Sequence, residues 1–225
     1  MAEIDVQLVN SMGDDLTVVN SARVSYAKSS DYAGHIHAGD QKVISERDRR
    51  LIAYLAKHKH ISPFGHAFTS FRVTAPVFVA RQLVKHKFLR WNEISRRYVN
   101  YTPEFYEPYW REKPKNSKQG SGGPMEISQE AEMMFHATLR NALTTYDLMI
   151  KEGVAPEQAR AILPQNMMTS WYWSGSLDAF ADMCNLRLKD DTQHETTLVA
   201  EQIDQKMLGL FPVSWEALVY GEEDD

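Results

Sequence analysis

Apolar and polar positions alternate at the start of the chain, where IDVQLVNSM predicts a first strand over 4–12. SERDRRLIAYLAKHKH, with Ser45 at its head, acids early and cations late, predicts a helix ending near His58 to His60. HAFTSFRVTAP alternates again with β-branched and aromatic residues, a strand stopped by Pro76. VFVARQLVKHK then predicts a short helix, and WNEISRRYVNY a further strand over 91–101. From Ile127 the period becomes helical. Phe135, Leu139, Ala142, Tyr146 and Met149 form one apolar stripe, and Gly153 is a natural stop. APEQARAIL predicts a helix with Pro156 in its first turn, ended before Pro164. NMMTSWYWSG reads as a buried strand, and SLDAFADMCNLRL and QHETTLVAEQIDQKMLGLF as helices. Strands early and helices late predict an α+β (mixed α/β) fold with helices packed against one sheet.

Between these periodic stretches Trp110–Pro124 is rich in Lys, Gly and Pro. It is expected to be a mobile loop, at about 110–124, within a single domain spanning 1–225. The acidic tail GEEDD reads as a solvated end. Hydrophobic residues make up 43% of the chain, enough for one sizeable core. No apolar run reaches the length of a membrane span, and MAEIDVQLV lacks the basic and apolar regions of a signal peptide. With a lone cysteine, Cys184, excluding an internal disulfide, a cytoplasmic location is expected. A formal charge of -5 argues against general nucleic-acid binding, while leaving room for a local basic pocket. There is no GxGxxG, no GxxxxGK and no paired-cysteine zinc pattern, so any phosphate must be held by side chains or helix N-termini.

Such a basic pocket is suggested by the segment from Arg81 to Arg97, which holds seven basic side chains counting His86. Their mutual repulsion destabilises the fold unless an anion sits among them. Arg81, Gln82 and Lys85 share a helix face. Lys85, His86 and Lys87 also suit a helix C-terminus, where cations are favoured. On a strand of period two, Glu93, Ser95 and Arg97 point one way, and Asn92, Ile94, Arg96 and Tyr98 the other. Arg97 offers a planar fork for phosphate or a carbonyl pair, and Glu93 an acceptor for amide or ribose donors. A surface salt bridge between Glu93 and Arg97 is the plain alternative.

The order of these residues resembles the signature R-H-R-x-x-S-x-N-E-x-S-x-R-Y of the flavin-dependent thymidylate synthases. His86, Asn92, Glu93, Ser95, Arg97 and Tyr98 match, Lys85 and Lys87 replace the two arginines, and Arg90 replaces the first serine. SARVSY (21–26), HISPFGHAFTSF (60–71, with Gly65 where Glu is usual), KQGS (118–121), ARAILPQNMMTSWYWSGSL and NLRLKDDTQHE, with Gln193 and Glu195, are similar to other family segments in the same order. The resemblance implies reductive methylation of dUMP to dTMP. The carbon would come from 5,10-methylenetetrahydrofolate and the reducing equivalents from NADPH through FAD. It also implies a homotetramer with shared active sites around a largely antiparallel sheet. It places Gln82, Lys85, Glu93, Ser95, Arg96 and Arg97, with Arg160 and Arg187, on the nucleotide. Arg187 is implied as the catalytic group, stabilising negative charge on the uracil. Ser62 from a neighbouring subunit, Lys85, His86, Lys87, Asn92 and Glu93 are implied to hold the flavin.

Two other classes compete. A metal-dependent enzyme could use His58, His60 and His66. A non-catalytic nucleotide- or RNA-binding module could use the basic segment with Trp91, Trp171 and Trp173, although such aromatics more often pack in a core. Cys184 sits in a helix with Met183 and Asn185 as neighbours and reads as a small buried apolar residue.

Overall fold

The computed structural model describes residues 2–36, 41–115 and 120–221. Its centre is a four-stranded antiparallel sheet in the order β1-β4-β6-β5. Its strands are β1 (Asp5–Met12), β4 (Phe68–Pro76), β5 (Arg90–Glu93) and β6 (Met168–Ser176), while β2 (Gly34–Ile36) and β3 (Gln41–Val43) pair separately. Helices α1 (Asp15–Arg23) and α2 (Glu46–Lys57) lie in the first third of the chain and α3 (Val77–Leu83) follows β4 directly. They are joined later by α4 (Gln129–Lys151), α5 (Pro156–Ala159), α6 (Leu177–Arg187), α7 (His194–Leu210) and α8 (Pro212–Trp215). The mixed fold with an antiparallel sheet matches expectation. Among the described residues no helix is long and apolar enough to cross a membrane.

One sheet face is apolar and covered. Phe71 and Val73 of β4 and Trp171 and Trp173 of β6 point to it, with Phe180 of α6 packed edge-on against Phe71 and Trp173. The other face carries Arg72, Tyr172 and Asn92 in one cross-strand row, all exposed. Hydroxyl pairs Ser70–Ser174 at 2.8 Å and Thr74–Ser170 at 2.9 Å flank that row. The chain's two ends lock together beside β1. Gln202 of α7 accepts from the Val6 amide at 3.0 Å and donates to the Ile4 carbonyl at 3.1 Å. Asp15 accepts from the Val213 and Ser214 amides at 3.0 and 2.8 Å, capping α8 from the start of α1.

Two expectations change. The strand expected over 91–101 ends at Glu93. The Ile94 amide still bonds Ser170, but Ser95 then opens a turn whose carbonyl takes the Tyr98 and Val99 amides. The Ser95 hydroxyl accepts from the Arg97 amide at 3.3 Å, a local bond that competes with the sheet ladder. The helix expected over APEQARAIL is one short α turn, continued by a 3₁₀ turn at Arg160–Ile162. In the Trp110–Pro124 segment, 116–119 lie outside the described residues, and with them Lys118 and Gln119 of KQGS. The flanks form a ribbon, with Glu112 bonding Gly123 and Gly122, and Met125 bonding Trp110.

Candidate active site

Glu93 stands at the end of the edge strand β5, on the covered side of the sheet. Its Oε2 accepts from Trp91 Nε1 at 3.1 Å and its Oε1 from Thr169 Oγ1 at 2.8 Å. It lines a cavity of about 240 Å3 together with Arg96 and Arg160, walled by Val77, Ile94, Leu163, Pro164, Gln165, Met167, Met168 and Thr169. One carboxylate and two arginines thus share the lining of one cavity, with Arg160 Nε donating to the Glu157 carbonyl at 3.2 Å. Such a site suits a ligand with neutral donors at one end and anionic oxygens at the other.

The turn after β5 changes which arginine enters this pocket. The expected face of Glu93, Ser95 and Arg97 does not form. Arg96 turns inward, 6% exposed, and donates to the Tyr101 carbonyl with its guanidinium 4.3 Å from that ring. Ser95 and Arg97 bond each other at the surface, and Arg97 also reaches the Tyr98 hydroxyl at 2.5 Å. Asn92 lies on the opposite, open face of the sheet from Glu93.

Gln82 near the end of α3 is tied to the first turn of α7. Its amide donates to Gln193 Oε1, and its Oε1 accepts from Thr196 at 3.3 Å. Gln193 in turn donates to Glu195 at 3.0 Å. Arg187, at the C-terminus of α6, donates through Nε to His86 Nε2 at 2.9 Å. Burial first, and the Arg187 charge second, push the His86 imidazole down to about 4. It is therefore neutral near pH 7 and can accept this bond. Burial also lowers the Arg187 guanidinium below its ordinary range. Among the described residues no carboxylate forms an ion pair with Arg187. Lys85 and Lys87 are exposed on either side of His86, and Phe88, 75% exposed, follows in the left-handed region at φ 66.

Ser62 begins a 3₁₀ turn, Ser62–His66, that leads into the start of β4, at the other end of that strand from Val77. It does not join the cavity within this chain. Beside it, a Cβ on Gly65 would meet only Asp178 Oδ1, at 4.0 Å. That oxygen is buried and has no hydrogen-bond partner. A carboxylate therefore reaches this spot from α6 rather than from position 65.

The histidines and tryptophans of the other two readings do not line this cavity. Among the described residues no three His, Cys, Asp or Glu side chains are placed to hold a metal. Trp171 and Trp173 are 1% exposed, and Trp91 stacks on Trp171 at 4.3 Å, so these rings are core and not a base-stacking platform. The Cys184 thiol is fully buried, and burial, then Asp204, raise its pKa, so it is no thiolate nucleophile.

Residues 7–213 match the family model described as thymidylate synthase complementing protein. The chain belongs to this family. It is 37% identical over 213 residues to a flavin-dependent thymidylate synthase of Thermus thermophilus, covering 94% of this chain and 74% of that one. A namesake from Kosmotoga olearia is 34% identical over 217 residues, covering 95% and 89%. The UMP/dUMP methylase PolB of Streptomyces cacaoi, solved with 5-Br dUMP, superposes with a TM-score of 0.82 at 30% identity, covering 98% and 96%. This thymidylate synthase complementing family member thus brings Glu93, Arg96 and Arg160 into one cavity, and His86 and Arg187 into one contact. Thr169 was not singled out from the sequence, though the alternation of β6 puts it on the face of Trp171, opposite Glu93.

Proposed function

We propose that this protein is a flavin-dependent thymidylate synthase that methylates dUMP to dTMP. The carbon donor is 5,10-methylenetetrahydrofolate, and NADPH supplies reducing equivalents through FAD. The observation that carries this reading is the cavity that Glu93 lines together with Arg96 and Arg160, in a chain belonging to the family. Arg160 and Arg96 take the nucleotide's phosphate oxygens, and Glu93 takes its neutral donors. Gln82, held by Gln193 and Thr196, adds an amide contact to the base. Ser95, Arg97 and Lys85 close over the nucleotide from the surface turn and the helix end.

Arg187 is the electrostatic group. Its Nε is committed to His86, which leaves the terminal nitrogens to stabilise negative charge developing on the uracil. The exposed Lys85 and Lys87, with Asn92 on the open sheet face, offer cations and an amide that fit a diphosphate-bearing cofactor. His86, Glu93 and a neighbouring subunit's Ser62 complete that set. When bound, the flavin supplies the two-electron reduction that turns the transferred methylene into a methyl group. Since Ser62 lies away from the cavity of its own chain, a homotetramer with shared sites is part of this reading.

Purified protein is expected to be yellow and to oxidise NADPH, with dTMP forming only when dUMP and methylenetetrahydrofolate are both present. A protein that takes up no flavin and forms no dTMP overturns the reading.

A further inference from the structure

Glu93 is exposed at the end of an edge strand, where a glutamate ordinarily samples many rotamers, yet both its oxygens are engaged. Fixing such a side chain costs rotamer freedom, so holding it in one place needs a cause. The cause is on the neighbouring strand. Thr169 sits on β6 two residues from Trp171, the cross-strand partner of Glu93, and so shares its face. Its hydroxyl is 2.8 Å from Glu93 Oε1, and the residue is 6% exposed, so its own rotamer is held by packing. Trp91, two residues before Glu93 and on the same face, donates to the other oxygen at 3.1 Å. The Trp91 ring is held in turn, stacked on Trp171 at 4.3 Å and edge-on to Trp173 at 5.8 Å.

From this arrangement we infer that Thr169 and Trp91 are positioning residues, which aim the Glu93 carboxylate into the cavity so that it meets a neutral donor of the nucleotide, a sugar hydroxyl or an imide N–H. This rests on the functional reading above. Each carboxylate oxygen accepts more than one hydrogen bond. One acceptor site per oxygen is used by the protein, and the residue lines the cavity it shares with Arg96 and Arg160. The hydroxyl and the indole N–H are both uncharged, so the carboxylate keeps its full negative charge for the ligand. A Lys or Arg in either place would hold Glu93 as firmly but would compete for that charge.

The test is nucleotide binding, measured by calorimetry with dUMP on the flavin-loaded protein. Thr169→Val removes the hydroxyl at nearly constant volume, and Trp91→Phe removes the N–H while keeping an aromatic ring on Trp171. Each is expected to weaken dUMP binding about tenfold, with the loss falling on KM more than on kcat, since the chemical groups are untouched. Thr169→Ser restores the donor and should restore affinity. Thr169→Val added to Glu93→Gln should cost little beyond Glu93→Gln alone, because both act through one carboxylate. Thermal unfolding of each variant checks that the fold persists. Equal affinity of wild type and Thr169→Val, no recovery in Thr169→Ser, or full additivity with Glu93→Gln overturns the positioning role alone. A wild-type protein that binds no dUMP overturns the functional reading, and this inference with it.

Discussion

At the scale of single residues, the His86–Arg187 contact links charge to stability. A histidine in the unfolded chain titrates near 6.5, whereas His86 in the fold is pushed down to about 4 by burial and by Arg187. Between those values the unfolded chain holds a proton that the folded chain does not. Stability from this site is therefore complete above pH 6.5 and is lost as pH falls toward 4. Protonation also puts a second cation against Arg187, in place of the acceptor for its Nε–H. Denaturant unfolding measured from pH 7.5 to 4.5 should show this loss. In His86→Gln, whose amide oxygen can still accept, that part of the slope should disappear; an unchanged profile would place the titration elsewhere. The same contact explains why a histidine between two lysines is no extra cation: Lys85 and Lys87 stay in solvent while the imidazole turns inward against Trp173, 6.4 Å between ring centres.

At the scale of elements, α8 is too short to hold itself, and its first amides are satisfied by Asp15 from α1. Asp15→Ala leaves two buried N–H groups without an acceptor, at about 1–3 kcal/mol each. Asp15→Asn keeps one acceptor oxygen and should lose about half as much, read from urea midpoints. Elements with a strong repeat were legible from the sequence: β1, β4, α2, α4, β6, α6 and α7 all stand near their expected places. Helix α1 was not read, because DLTVVNSAR mixes β-branched and polar residues. Its signal was the capping box, with Asp14 bonding the Thr17 amide and Thr17 returning to the Asp14 amide. The end of β5 misled for a different reason. The period-two reading carries on through ISRRY, but the Ser95 hydroxyl ties its own backbone into a turn, and Arg96 gains the carbonyl and ring of Tyr101. So the motif residues were legible in sequence, while which of them share a cavity depended on where the strand stopped.

At the scale of the whole molecule, the sheet leaves Arg72, Tyr172 and Asn92 uncovered on one face, and Ser62 away from the cavity of its own chain. Under the proposed function, subunits associate so that one chain's Ser62 turn approaches another's site. Light scattering should then give a mass about four times that of the 225-residue chain; a monomer that is fully active would remove the shared-site part of the proposal. The clasp of Gln202 on Ile4 and Val6 bears on how such a chain is made. The Val6 amide waits for a partner 196 residues downstream. During synthesis the first strand can pair with β4 long before the last long helix has left the ribosome, but the Val6 amide on its outer edge stays without this partner until then. Bringing together segments so far apart in the chain is slow, and an open strand edge invites pairing with other chains. Chains stopped before α7 should accordingly collect in aggregates, not persist as smaller folded forms.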